Sequence, residues 1–142
     1  MSNNVKRILA ALDAARQLPV REGHFPHLAN LLHRTGILSN TWTLPGCQSI
    51  YETQEGCVVI PGEPLLNSPV DVPPFSDKKL MTAICEDQAG NTTFREFLMR
   101  IWQAGVVSYR VDFVSRTVTY YGLNGDIWEE NYPDVTAGQF SA

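Results

Sequence analysis

Thr92-Thr-Phe-Arg-Glu-Phe-Leu-Met-Arg-Ile-Trp-Gln-Ala-Gly105 runs directly into Val106-Val-Ser-Tyr-Arg-Val-Asp-Phe113, and Thr117-Val-Thr-Tyr-Tyr-Gly122 follows after Val114–Arg116. Thr93 and Glu96 have the spacing of a capping box, in which hydroxyl and carboxylate each bond the other residue's amide. Phe94, Phe97, Leu98, Ile101 and Trp102 then fall at i, i+3, i+4, i+7 and i+8, a wide apolar stripe. Arg95, Glu96, Arg100 and Gln103 occupy the other face, and Gly105 stands where a left-handed cap ends a helix. Past the glycine the period drops to two. Val107, Tyr109, Val111 and Phe113 alternate with polar residues, as do Val118 and Tyr120. The spacing predicts a helix and an antiparallel hairpin. Arg110 and Asp112 are expected on the solvent side of it, where exposed ion pairs contribute little.

Phe94–Arg100, Gly105-Val-Val-Ser-Tyr-Arg-Val-Asp-Phe113 and Arg116-Thr-Val-Thr-Tyr-Tyr-Gly122 resemble a family of short bacterial proteins of unknown function. Some of its members are carried by prophages and labelled phage envelope protein. The resemblance is clearest over the last fifty or so residues. It implies an α+β domain of bacterial or phage origin and carries no established activity.

Working outward, residues 3–17 carry a helical stripe of Val5, Ile8, Leu9 and Leu12, closed by Leu18-Pro19. Pro26 suits the first turn of a second helix, with Leu28, Leu31, Leu32 and Thr35 on one side and Gly36 as its stop. Lys6 and Arg7 before Ile8-Leu-Ala-Ala-Leu12 imitate a signal peptide, but Asp13 and Arg16 interrupt the run at helical spacing. Trp42-Thr-Leu44, Ser49-Ile-Tyr-Glu-Thr53 and Cys57-Val-Val-Ile60 read as short strands, the last two as a hairpin. Residues 61–74 hold five of the nine prolines and form a connecting loop. A third short helix is expected from near Ser76, and Asn124-Gly125 marks a turn into a strand at Ile127-Trp-Glu129. The tail after Pro133 reads as frayed. No residue repeat is legible, although two αα-then-β halves of similar length suggest a pseudo-symmetric layout.

The expected architecture is one α+β domain over 1–142: a small antiparallel sheet of hairpins packed in two layers against about four helices. Its parts are an N-terminal helical pair at 3–36, a hairpin at 41–60, the proline-rich loop at 61–74, helices at 76–104 and a C-terminal sheet at 106–130. A chain of 142 residues can bury roughly 70% of its unfolded surface. No run approaches the ~20 apolar residues of a membrane span, so the cytoplasm is expected. The net charge of −4 argues against nucleic acid as a partner. Charge is uneven: up to Arg34 there are five basic and two acidic residues, and beyond it six and thirteen. A chain polarised in this way could stack head to tail or dock a basic partner.

The residues with chemical potential do not assemble into a signature. His24, His27 and His33, with Cys47, Cys57 and Cys85, lack the paired short spacing that zinc requires. Cys47 and Cys57 flank the second hairpin and could come within disulfide distance, although reduced thiols are expected in a cytoplasm. A nucleophilic cysteine would need a histidine and an electropositive niche. No nucleophile elbow, metalloprotease helix or phosphate loop is present. Gly122-Leu-Asn-Gly125 follows a strand rather than joining two helices, which argues against a KH loop. Asp126, Glu129 and Glu130 lack the alternation of a calcium loop, and Asn91-Thr-Thr93 is explained by capping. Most aromatic residues sit at core-compatible positions. Tyr121 and Trp128 are the two candidates for an exposed partner contact. These readings point to a non-enzymatic, phage-derived or accessory protein acting through protein contacts, with an unidentified partner or a second copy. They imply no cofactor and no metal. The alternative is a small-molecule-binding or hydrolytic domain with the proline-rich loop as its lid.

Overall fold

Both halves of the capping box form. The Glu96 amide donates to Thr93 Oγ1 at 3.1 Å, and the Thr93 amide donates to Glu96 Oε1 at 2.8 Å. In the computed structural model, which describes residues 1–18 and 24–135, this cap starts a helix that is followed by three strands. The same succession occurs once earlier. The elements are α1 (Asn3–Arg16), α2 (His24–Arg34), β1 (Ile37–Thr43), β2 (Ser49–Thr53) and β3 (Gly56–Ile60). They are followed by α3 (Asp77–Gln88), α4 (Phe94–Gln103), β4 (Val106–Asp112), β5 (Thr117–Gly122) and β6 (Ile127–Asn131). Pro19 and the residues after Val135 lie outside the described residues, so the closure expected at Leu18-Pro19 and most of the expected frayed tail do too.

All six strands form one antiparallel sheet in the order β3-β2-β1-β4-β5-β6. The expected α+β class and two-layer packing hold, but the sheet is wider than separate hairpins. β1 begins at Ile37, five residues before the strand read at Trp42, because Gly36 adopts φ +101° and turns the chain from α2 straight into it. That extra length lets β1 pair with β4 from Ser39 opposite Asp112 to Thr43 opposite Ser108, joining the two hairpin sheets. α3 likewise runs to Gln88, longer than the short helix expected, with Ser76 Oγ accepting from the Lys79 amide.

The sequence does contain a repeat, and the fold reveals it. Phe25 and Phe94, Leu28 and Phe97, Leu32 and Ile101, Gly36 and Gly105, and Ser39 and Ser108 each stand 69 positions apart. The strand irregularities recur at that interval, between Ile37 and Ser39 and between Val106 and Ser108. In α1 and α3, Lys6-Arg-Ile8 answers Lys78-Lys-Leu80. The repeat escapes a reading by pattern because the matching pairs are few and lie among dissimilar ones such as Pro26 and Arg95, Leu31 and Arg100, and Asn40 and Tyr109.

The helices cover one face of the sheet. Ile8, Ala29, Leu32, Leu80, Ala83, Ile84, Phe97, Leu98, Ile101 and Trp102 meet Tyr51, Val58, Tyr109, Val111, Val118 and Tyr120 in one core. Phe97 stands edge-on to Tyr120, with ring centroids 6.5 Å apart. Phe94, at the first helical position, lies at the rim instead: it is half exposed and packs edge-on against Trp42 at 5.1 Å. The proline-rich loop is tied down along its course. The Leu65 amide donates to the Pro45 carbonyl, and Arg95 donates to the carbonyls of Glu63 and Pro64. At its end, the Phe75 backbone presses against Gly105.

The two equivalent glycines give a paired prediction. Both adopt positive φ, but a Cβ on Gly36 would meet nothing, whereas on Gly105 it would lie 2.5 Å from Phe75 Cα. Gly36→Ala should cost about 1–2 kcal/mol of left-handed strain, and Gly105→Ala roughly 3 kcal/mol or more. Urea unfolding of the two variants measures the difference directly.

Candidate interaction surface

Alternation places every second strand residue on the face opposite the helices. One row across that open face reads Val59, Ile50, Thr41, Arg110, Thr119, Glu129, and the adjacent row reads Cys57, Glu52, Ser39, Asp112, Thr117, Asn131. Arg110 sits at the centre, 3.7 Å from Glu52 and 3.5 Å from Asp112. Ser39 Oγ donates to Glu52 at 2.9 Å, so the triad is anchored on three strands. Asp112 is also the acceptor of the β4–β5 turn, taking the amides of Val114 and Ser115. Partial burial works to raise its carboxyl, but these amides and Arg110 outweigh it and hold the group below the ordinary carboxylate range. Apolar side chains stand on β2 and β3 and at the start of β6, whereas Glu129 and Asn131 keep the rest of that edge polar. Ile50, Val59 and Ile127 are 40%, 54% and 62% exposed, and Leu123 in the β5–β6 turn is exposed as well.

Tyr121 lies on this open face, opposite Ile127. Trp128 does not: it pairs with Tyr120 on the helix side, packs against the core, and donates its indole N–H to Glu130 Oε1 at 2.7 Å. The two aromatic candidates therefore stand on opposite faces and cannot form one contact patch. The residues that sequence reasoning left out are Ile50, Val59 and Ile127. Their alternation was legible, but which side of the sheet the helices would cover was not.

The remaining candidate groups are dispersed. Among the described residues no three His, Cys, Asp or Glu side chains come together to hold a metal ion. The cysteines are free. Cys47 is buried against Gly62 at one end of the β2–β3 hairpin, whereas Cys57 is exposed opposite Glu52 near the other, so the disulfide approach does not occur. Burial pushes the Cys47 thiol up, the opposite of what activates a nucleophile. Glu129 faces outward and Glu130 inward, which divides the acidic group. Inside, burial pushes the phenol pKa values of Tyr109 and Tyr120 well above the ordinary tyrosine value. Asp87, at the end of α3, accepts from Thr92 Oγ1 at 3.3 Å. Its carboxyl is raised by burial, an effect partly offset by His24 and by that hydrogen bond.

A second surface feature lies on the solvent side of the second helix pair. There a groove of about 770 Å3 is lined by Pro73, Lys78, Lys79, Thr82, Ala83, Arg100 and Gln103.

These features define an α+β protein of two ααβββ halves sharing one sheet, with helices on one face and side chains exposed on the other. Residues 19–130 match the model of a protein family of unknown function, DUF1398, and the chain belongs to that family. It is 46% identical over 136 residues to the uncharacterised proteins Rv2012 of Mycobacterium tuberculosis and Mb2035 of Mycobacterium bovis. That stretch spans 95% of this chain and 82% of each relative. No described helix is long and apolar enough to cross a membrane.

Asp87 supplies a pH-dependent prediction. Because its folded pKa is raised, the ionised carboxylate lowers stability at neutral pH, and this cost fades as pH falls through the folded and then the unfolded value. Asp87→Asn should therefore gain stability relative to wild type at pH 7 and lose that advantage below about pH 4, near the unfolded aspartate pKa. Thermal melts of both proteins across this range read the convergence.

Proposed function

We propose that this protein is a non-enzymatic module, accessory or phage-derived, that acts through protein contacts made by the open face of its sheet. The observation that carries the reading is the arrangement of that face: an Arg110 paired with both Glu52 and Asp112 at its centre, flanked by half-buried Tyr121 and exposed Ile50, Val59 and Ile127. Its best-fitting occupant is a second copy. Six strands about 4.8 Å apart and about five residues long make a patch on the order of 400 Å2. With side-chain relief and the rim, face-to-face pairing of two such patches would remove about 1,000 Å2 of accessible surface, the lower bound for a specific interface.

Native mass spectrometry of the untagged, reduced protein at about 50 μM, a concentration suited to the weak affinity of a small interface, tests this. Wild type should give a dimer, and Ile50→Glu/Ile127→Glu a monomer with an unchanged melting temperature. A wild-type monomer, a dimer indifferent to the substitutions, or a bound metal or metabolite mass would each overturn the reading.

A further inference from the structure

The groove between α3 and α4 carries an unbalanced charge that the fold does not explain. Lys78 and Lys79 occupy the first turn of α3, where the helix dipole disfavours cations. Arg100 and Gln103 reach the same groove from the last turn of the antiparallel α4, because the Ser76 amide bonds the Ala104 carbonyl and brings the two helix ends together. Among the described residues, no carboxylate lies within ion-pair distance of any of these three cations. Glu96, one turn from Arg100, is bonded to the Thr93 amide and meets Arg100 only beyond ion-pair distance, and Asp77, next to Lys78 in the chain, forms no ion pair either.

The equivalent position in the first half serves as an internal control. There Arg7, the counterpart of Lys79, is bonded to Glu55 at 2.6 Å and to Asn4 at 2.7 Å. The repeat thus pairs this cation in one half and leaves it without an ion pair in the other. Between the cations the floor is apolar, formed by Pro73 and Ala83 beside Thr82, whose hydroxyl is turned back to the Lys78 carbonyl at 2.9 Å.

We propose that this groove docks an acidic segment of a partner protein, its carboxylates over Lys78, Lys79 and Arg100 and an apolar side chain on the Pro73–Ala83 floor. Three cations around an apolar floor suit a short acidic amphipathic peptide. A long nucleic-acid backbone would be repelled by the rest of a chain carrying −4. The site lies on the helix side, away from the open sheet face, and stands independently of it.

The test uses a fluorescein-labelled helical peptide with glutamates at i and i+4 beside a leucine, followed by fluorescence anisotropy at about 50 mM salt, where surface charges are weakly screened. Wild type should bind it, Lys78→Glu/Arg100→Glu at least about tenfold more weakly, and Arg7→Glu no differently. A lysine-substituted peptide should reverse the preference. Lys78→Gln/Arg100→Gln, a milder pair checked by thermal melt, should fall between. No binding by wild type, equal binding by the variants, or displacement of the peptide by tripolyphosphate at lower concentration than by unlabelled peptide would overturn the proposal.

Discussion

The β1–β4 seam is the constraint on which the rest of the molecule depends. Each ααβββ half brings a three-stranded sheet whose first strand would otherwise present a row of unpaired amides and carbonyls. Pairing Ser39 through Thr43 with Ser108 through Asp112 satisfies both edges at once and makes one sheet of six strands. It also aligns the helical layers, because α2 and α4 each feed the seam through a glycine in the left-handed region. The core residues Tyr109 and Val111 lie on this seam, opposite Trp42 and Asn40, so the halves share their interior as well as their hydrogen bonds.

The two halves correspond at several packing positions, among them Leu32 and Ile101, but differ at others, where buried Asn40 answers buried Tyr109. The apolar positions of α2 and α4 match in spacing, and the irregularities at the start of β1 and β4 coincide. A further difference lies where the connection between the halves passes. Gly105 is crowded by the Phe75 backbone while Gly36 stands free, because the proline-rich connection passes over only one of them. That connection spans the two halves and is anchored at Leu65, at Glu63 and Pro64, and at Phe75. Those ties favour a strut between halves over a lid.

Legibility in the sequence followed the range of the interactions. The Thr93–Glu96 cap, the stripe through Phe97 and Ile101, the left-handed Gly105 and the β4–β5 hairpin all depend on neighbours within a few positions, and each was readable. So were the Ser49–Ile60 hairpin and the approximate number of helices. The start of β1 at Ile37 was not, since Ile37-Leu-Ser-Asn-Thr41 lacks the period-two alternation that marks β4 after Gly105. Nor was the separation of Tyr121 from Trp128. Their alternation was visible, but the unequal roles of the two faces depend on where four helices settle.

The sequence by itself determined the secondary structure, the α+β class and the lack of any recognisable catalytic motif, because caps, periods and turn residues act locally. Tertiary structure alone decided the six-strand order, the open face with its Arg110 triad and the cations of the α3–α4 groove that form no ion pair. Those features arise from contacts between residues tens of positions apart, such as Arg110 with Glu52 and Lys78 beside Arg100. Which charge finds a partner and which apolar side chain stays in water is settled only when the layers close.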